Sequence, residues 1–168
     1  WTTPTINSTI IATATMFVTM ALVIPASFSL VRFRFLGRNL VNFMLMMPLM
    51  VPHIVLALAY YSFLGSMNLI NTHLGVIIAH TCVSVPVSFL IVSATLKGFD
   101  RNLERAAMSA GAGPLQTFFH VTLPVLRPGF LIAAMFAFIH SFDETVIAIF
   151  IAGRDAHTLP RKMYESVR

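Results

Sequence analysis

Residues 39 to 96 read NLVNFMLMMPLMVPHIVLALAYYSFLGSMNLINTHLGVIIAHTCVSVPVSFLIVSATL, and this whole passage contains no Asp, Glu, Lys or Arg. A helix of about 20 apolar residues crosses the roughly 30 Å hydrocarbon core of a bilayer, so the passage holds room for two crossings. Residues 1 to 31 carry no charged side chain either. Across its 168 residues the chain is 57% hydrophobic and only 10% charged, with a mean hydropathy of +0.83. A soluble domain carries about 25% charged residues, and the helices of a large soluble core would still show polar faces. The chain therefore reads as an all-α integral membrane protein.

Four spans are expected, at about 6–31, 40–64, 74–96 and 125–152. Each holds a proline: Pro25; Pro48 and Pro52; Pro86; and Pro128. Proline inside a membrane helix is tolerated where neighbours satisfy the freed carbonyl, so kinked helices in a packed bundle are expected, with or without a role in gating. The one cysteine, Cys82, lies in an apolar run and excludes a disulfide framework. The first apolar run has no basic segment before it and does not read as a signal peptide. The chain opens on Trp1 and reads as a fragment of a longer protein. Its net charge of +5 bears on loop orientation rather than on nucleic acid, which is not an expected partner.

Basic residues mark cytoplasmic loops. Arg32, Arg34 and Arg38 follow the first span, and Lys97, Arg101, Arg105 and Arg127 surround the third loop, whereas the second loop, GSMNLINTH, has no Lys or Arg. The first and third loops are expected inside and the second outside. That puts the tail after Gly153 outside, although it carries Arg154, Arg161, Lys162 and Arg168; the tail is expected to lead into a further span. Tyr60 and Tyr61 suit the outer interface.

The third loop, 97–124, contains ERAAMSAGAGPLQTFFHVTLP from residue 104 to residue 124. Asp100 is a candidate helix cap, and Leu103, Ala106, Ala107 and Ala110 share one small apolar face at helical spacing. Gly111 suits the left-handed terminator, and Gly113 with Pro114 suits the cap and first position of a second helix. Leu115, Phe118 and Phe119 project from that second helix, and Pro124 is expected to end it. A knob of this kind, with a face too small to favour lipid, wants a partner groove.

This spacing resembles the cytoplasmic loop of ABC importer permeases of the binding-protein-dependent type: Glu-Ala-Ala, three residues, Gly, then nine residues before Ile-x-Leu-Pro. Ala106, Ala107 and Gly111 fall in register, and Val121, Thr122, Leu123 and Pro124 match its end. The signature's glutamate position is Arg105, with Glu104 one place earlier, about 100° around the helix. NSTIIATATMFVTMALVIPASFSLVRFRFLGR, PLMVPHIVLALAYYSFL and FAFIHSFDETVIAIFIAG followed by TLPRKMY are similar to further segments of such permeases, most of all to the spermidine/putrescine type. The resemblance implies a type I importer permease fold whose first and last spans lie outside this sequence. It also implies an inner-membrane location, a cytoplasmic ATPase that binds ATP and Mg, a second permease subunit (paralogue or self), and a periplasmic substrate-binding protein. The expected ATPase-coupling residues are Glu104, Arg105, Ala106, Ala107, Gly111, Gly113, Leu115, Phe118, Leu123 and Pro124.

Asp143 and Glu144 lie inside the fourth expected span, with His140 one turn before Glu144. Carboxylates there cost about 2.5–3.5 kcal/mol each on insertion, so they either line the translocation path, as would suit a polyamine or another cation, or pair with a neighbour. His53, His73 and His80 lack ligand spacing and are expected to be hydrogen-bonded helix histidines, with no metal site; the methionines read as flexible packing residues. No HExxH, GxSxG or GxxxxGK[ST] occurs, and Lys97 and Lys162 are followed by Gly and Met. The chain is thus expected to be a transport subunit without catalytic residues or a cofactor of its own. An ion-coupled transporter or channel subunit using Asp143 and Glu144 is the alternative, but it gives no reason for the knob.

Overall fold

The computed structural model describes residues 1–153 and 156–166; Arg154 and Arg168 of the basic tail lie outside the described residues. The described residues form α1 (Thr2–Arg32), α2 (Arg38–Met50), α3 (His53–Ser66), α4 (His73–Lys97), α5 (Asn102–Ser109), α6 (Pro114–Thr117), a π turn (Phe118–Thr122), α7 (Leu123–Asp143), α8 (Val146–Ile151) and α9 (Leu159–Ser166).

Helices α1, α4 and α7 pack on one another as the central bundle. Lipid is as apolar as leucine, so such helices are held by close packing and small polar contacts rather than by the hydrophobic effect. The seam shows this. The Ser93 hydroxyl donates to Ser27 Oγ at 3.4 Å, and the Ser88 hydroxyl to the Ala133 carbonyl at 3.4 Å. Gly129 of α7 lies so close to Thr95 of α4 that a Cβ would collide with the threonine side chain. One apolar cluster, with Val23, Leu30, Phe89, Leu96 and Leu126, fills the end of the bundle near the knob; a second, with Ile11, Leu64, Val76, Ile147 and Ile151, fills the other end. Phe17, Leu22, Leu131 and Met135 point outward, exposed.

Pro25, Pro86 and Pro128 are absorbed inside α1, α4 and α7. The chain breaks elsewhere. The segment expected as one span at 40–64 is two helices bent by 106° at Val51 and Pro52; Pro52 takes an extended conformation and starts α3. The segment expected as one span at 125–152 is also divided, because α7 stops at Asp143 and α8 begins at Val146. Among the described residues three helices are long and apolar enough to cross a membrane, or four if the bent pair counts as one.

Pro124 does not end the second loop helix: residues 114–143 run as one helical rod. The proline ring would clash with the carbonyl four residues back, and the π turn just before it widens the helix, with the Leu123 N–H donating to the Phe118 carbonyl.

The two ends of the bundle differ in charge. Arg32, at the end of α1, bonds to Glu104, and Arg38 and Lys97 border one cavity, so the first and third loops share an end. At the other end Thr72 caps α4, accepting from the Gly75 N–H at 3.1 Å, and the Asn71 N–H donates to the Ile151 carbonyl at 3.0 Å. The tail returns to this end: the Leu159 N–H donates to Ser8 Oγ at 2.8 Å.

Candidate functional site

The knob has the corner expected from its glycine. Gly111 sits at φ +94°. Its N–H donates to the Met108 carbonyl at 3.0 Å, and the Ala112 N–H to the Ala107 carbonyl at 3.1 Å. That pair of bonds is the Schellman termination, which needs a residue in the left-handed region. Gly113, extended, then caps α6 with Pro114 in its first turn. Asp100 is not the cap of α5: Arg101 holds the cap position, and Asp100, two places ahead of the helix start, accepts from the Asn102 N–H at 2.9 Å.

Helix α5 buries none of its residues. Leu103, Arg105, Ala106 and Ala110 are exposed and Ala107 is half-buried. The aromatic candidates divide: Phe118 packs on Phe28 of α1 with ring centroids 5.9 Å apart, whereas Phe119 and Leu115 stay exposed. Leu123 is packed against the nearby apolar cluster and Pro124 is exposed.

Glu104 turns inward. Its carboxylate accepts two bonds from the Arg32 guanidinium, at 2.7 and 3.1 Å, and one from the Thr122 hydroxyl at 2.5 Å. Arg32 also lies over the Phe28 ring at 5.0 Å. Partial burial pushes the Glu104 carboxyl up, but the Arg32 and Thr122 hydrogen bonds and the positive charge of Arg32 and Arg101 outweigh it and hold it below the usual carboxylate range. One side chain thus ties α5, α1 and the π turn together. Sequence reasoning missed this because its partner Arg32 is 72 positions away.

At the far end of the same rod, Asp143 is exposed and Glu144 is buried. Glu144 sits in the break, and its Oε1 accepts from the N–H groups of Val146 and Ile147 at 3.1 and 3.2 Å, so it supplies the start of α8. Its Oε2 faces His53 Nδ1 at 3.9 Å. His140 packs edge-on to His53, ring centroids 6.2 Å apart, and its Nδ1 meets the Ser84 hydroxyl at 3.4 Å. A cavity of about 360 Å³ is lined by His53, Phe136, Ile139, His140, Asp143 and Glu144. The three histidines weighed together as ligands do not meet one another. His80 is buried against Ser141 at 2.9 Å and His73 starts α4, but His53 joins His140 and Glu144, whose ligand atoms all lie within 4.8 Å of one another.

Residues 18–162 match the model of the family described as binding-protein-dependent transport system inner membrane component. The putrescine transport system permease protein PotI of Escherichia coli strain K12 is 36% identical over 150 residues, covering 85% of this chain and 53% of that protein. The spermidine/putrescine transport system permease protein PotC homolog of Mycoplasma genitalium is 31% identical over 166 residues, covering 96% of this chain and 58% of that protein. The fold is similar to a chain in the crystal structure of a bacterial ABC transporter involved in the import of the acidic polysaccharide alginate. The TM-score is 0.74 and the identity 17%, over 96% of this chain and 56% of that one. The chain spans a little over half the length of these relatives. It belongs to the binding-protein-dependent inner-membrane transport components, the permeases of ABC importers.

Proposed function

We propose that this chain is the central part of a permease subunit that carries a polyamine inward across the inner membrane, driven by ATP that a separate cytoplasmic subunit hydrolyses. The observation that carries the reading is the knob: a glycine-locked corner with an unburied small-residue face, built on the end of a 30-residue helical rod whose other end carries Asp143 and Glu144. At 1.5 Å per residue such a rod is about 45 Å long, so a push at one end reaches the other without an intervening joint.

In this account Ala106, Ala107 and Ala110 let an ATPase cleft approach the α5 backbone, with Leu115 and Phe119 as flanking apolar contacts and Arg105 facing the partner. Glu104 is the fastener that makes α1 move with the knob, and Gly111 and Gly113 fix the corner. ATP and Mg²⁺ belong to the partner. The basic loops gathered at one end support a cytoplasmic position for that end. A loaded binding protein docks at the opposite end, and a second permease subunit completes the path. The polyamine assignment is supported by what the two relatives above transport, and by two carboxylates beside a cavity with an aromatic wall, a lining that suits ammonium groups.

The test is co-purification of the full-length protein with its ATPase from membranes, wild type against Gly111→Asp. Retention by the wild type, with loss of binding or of putrescine-stimulated ATP hydrolysis in the variant, is the expected result. A folded wild type that binds no ATPase would overturn the reading.

A further inference from the structure

We propose that His53, His140 and Glu144 form a three-ligand site for a divalent transition metal of the zinc type, at the junction of α3, α7 and the break before α8. The site takes Glu144 from the lining proposed above for a polyamine, so a metal bound there leaves Asp143 as the carboxylate facing the cavity; ATPase binding at the knob and metal binding here are tested separately.

Three independent features converge there. The first is spacing. The three ligand atoms lie within 4.8 Å of one another, and His53 Nδ1 is 3.9 Å from Glu144 Oε2. Metal bonds of about 2.0–2.2 Å to nitrogen and oxygen set tetrahedral ligands about 3.3 Å apart, so closure asks for side-chain shifts of an ångström or so. The His53 side chain is 46% exposed and free to make them.

The second is preparation of the ligands. The backbone N–H groups of Val146 and Ile147 engage Oε1 of Glu144, which fixes the carboxylate with Oε2 toward His53. The Ser84 hydroxyl engages Nδ1 of His140, leaving Nε2 as the ring nitrogen for a metal. Hydrogen bonds of this outer kind orient metal ligands and set the histidine tautomer.

The third is charge. Glu144 is 7% exposed, and among the described residues its one ion-pair partner is His53, beyond hydrogen-bonding distance. A divalent cation would neutralise it. Two imidazoles with one carboxylate select zinc, nickel or cobalt over magnesium or calcium, which prefer all-oxygen sites. The adjoining cavity leaves a position for water or for Asp143.

The experiment is a titration of the full-length protein, purified in detergent and stripped with chelator, with Co²⁺ followed by its visible absorption and then displaced by Zn²⁺. One equivalent of Co²⁺ is expected to take on the spectrum of a low-coordinate nitrogen and oxygen site. His53→Ala and His140→Ala, checked for native helical content and monodispersity, are expected to weaken binding by at least about tenfold, while His120→Ala, on an exposed residue of the π turn, leaves it unchanged. The proposal fails if Co²⁺ keeps the spectrum of the aqua ion. It fails equally if His53→Ala binds as tightly as the wild type, or if His120→Ala weakens binding as much. Should Co²⁺ not bind while putrescine shifts the His53 and His140 ring resonances, the cluster is an ammonium site instead and the metal assignment is wrong.

Discussion

At Gly111 an added Cβ would meet nothing within 4 Å, yet the backbone stands at φ +94°. A substitution there costs backbone strain alone, about 1–2 kcal/mol for alanine. Asparagine, which visits the left-handed region more readily, costs less. Hydrogen exchange at the Gly111 and Ala112 amides, the two that close the corner, is therefore expected to speed up more in Gly111→Ala than in Gly111→Asn. Glu104 gives a pH test with a definite sign. Its folded pKa is lowered, so its contribution is complete above the ordinary carboxylate value near 4.3 and is lost as pH falls through the folded value. In micelles at neutral pH, Glu104→Gln is expected to be less stable than the wild type by about 1–3 kcal/mol, the worth of hydrogen bonds to a charged group. The gap should close on acidification below that range, as read by thermal melting. Gly111 was legible in the sequence because its cause is local: a periodic face stops and a glycine follows. Glu104 with Arg32, and His53 with His140, were not, because only the fold brings them together.

The break between α7 and α8 belongs to the scale of the element. Glu144→Gln keeps an oxygen for the Val146 and Ile147 amides, whereas Glu144→Ala takes the acceptor from the half-buried Val146 donor and the buried Ile147 donor. The alanine variant is expected to melt earlier, by about 1–3 kcal/mol of lost stability, and the glutamine variant close to the wild type. On the seam between α4 and α7, Gly129→Ala drives a methyl group into Thr95. It is expected to cost about 1–3 kcal/mol as overpacking; Thr95→Ala in the same chain removes the Oγ1 and Cγ2 collisions but keeps a Cβ 2.7 Å from the new methyl, so it should restore only part of the loss. Helices α1 and α4 were legible because one apolar run maps onto one rod. The division of residues 125–152 was not, because the sequence is equally apolar on both sides of Asp143 and Glu144 and periodicity carries no sign of an interruption. The prolines at 48 and 52 announced a kink, but its 106° angle follows from α2 packing on α4 while α3 packs on α8.

Across the whole molecule, a continuous helix and one ion pair join a knob at the basic end to an acidic break at the other. A partner must reach the exposed face of α5 for that linkage to matter. Cys82 is the only cysteine, so its replacement by serine leaves a clean background for a single new thiol. The most direct measurement is crosslinking in membranes from Ala106→Cys in the full-length protein, co-expressed with its ATPase. Tyr164→Cys, exposed on α9 at the opposite end, is the control. The account predicts a crosslink to the ATPase from residue 106 that changes with nucleotide, and none from residue 164. No crosslink from residue 106 in an active assembly, or equal crosslinking from both positions, would contradict it.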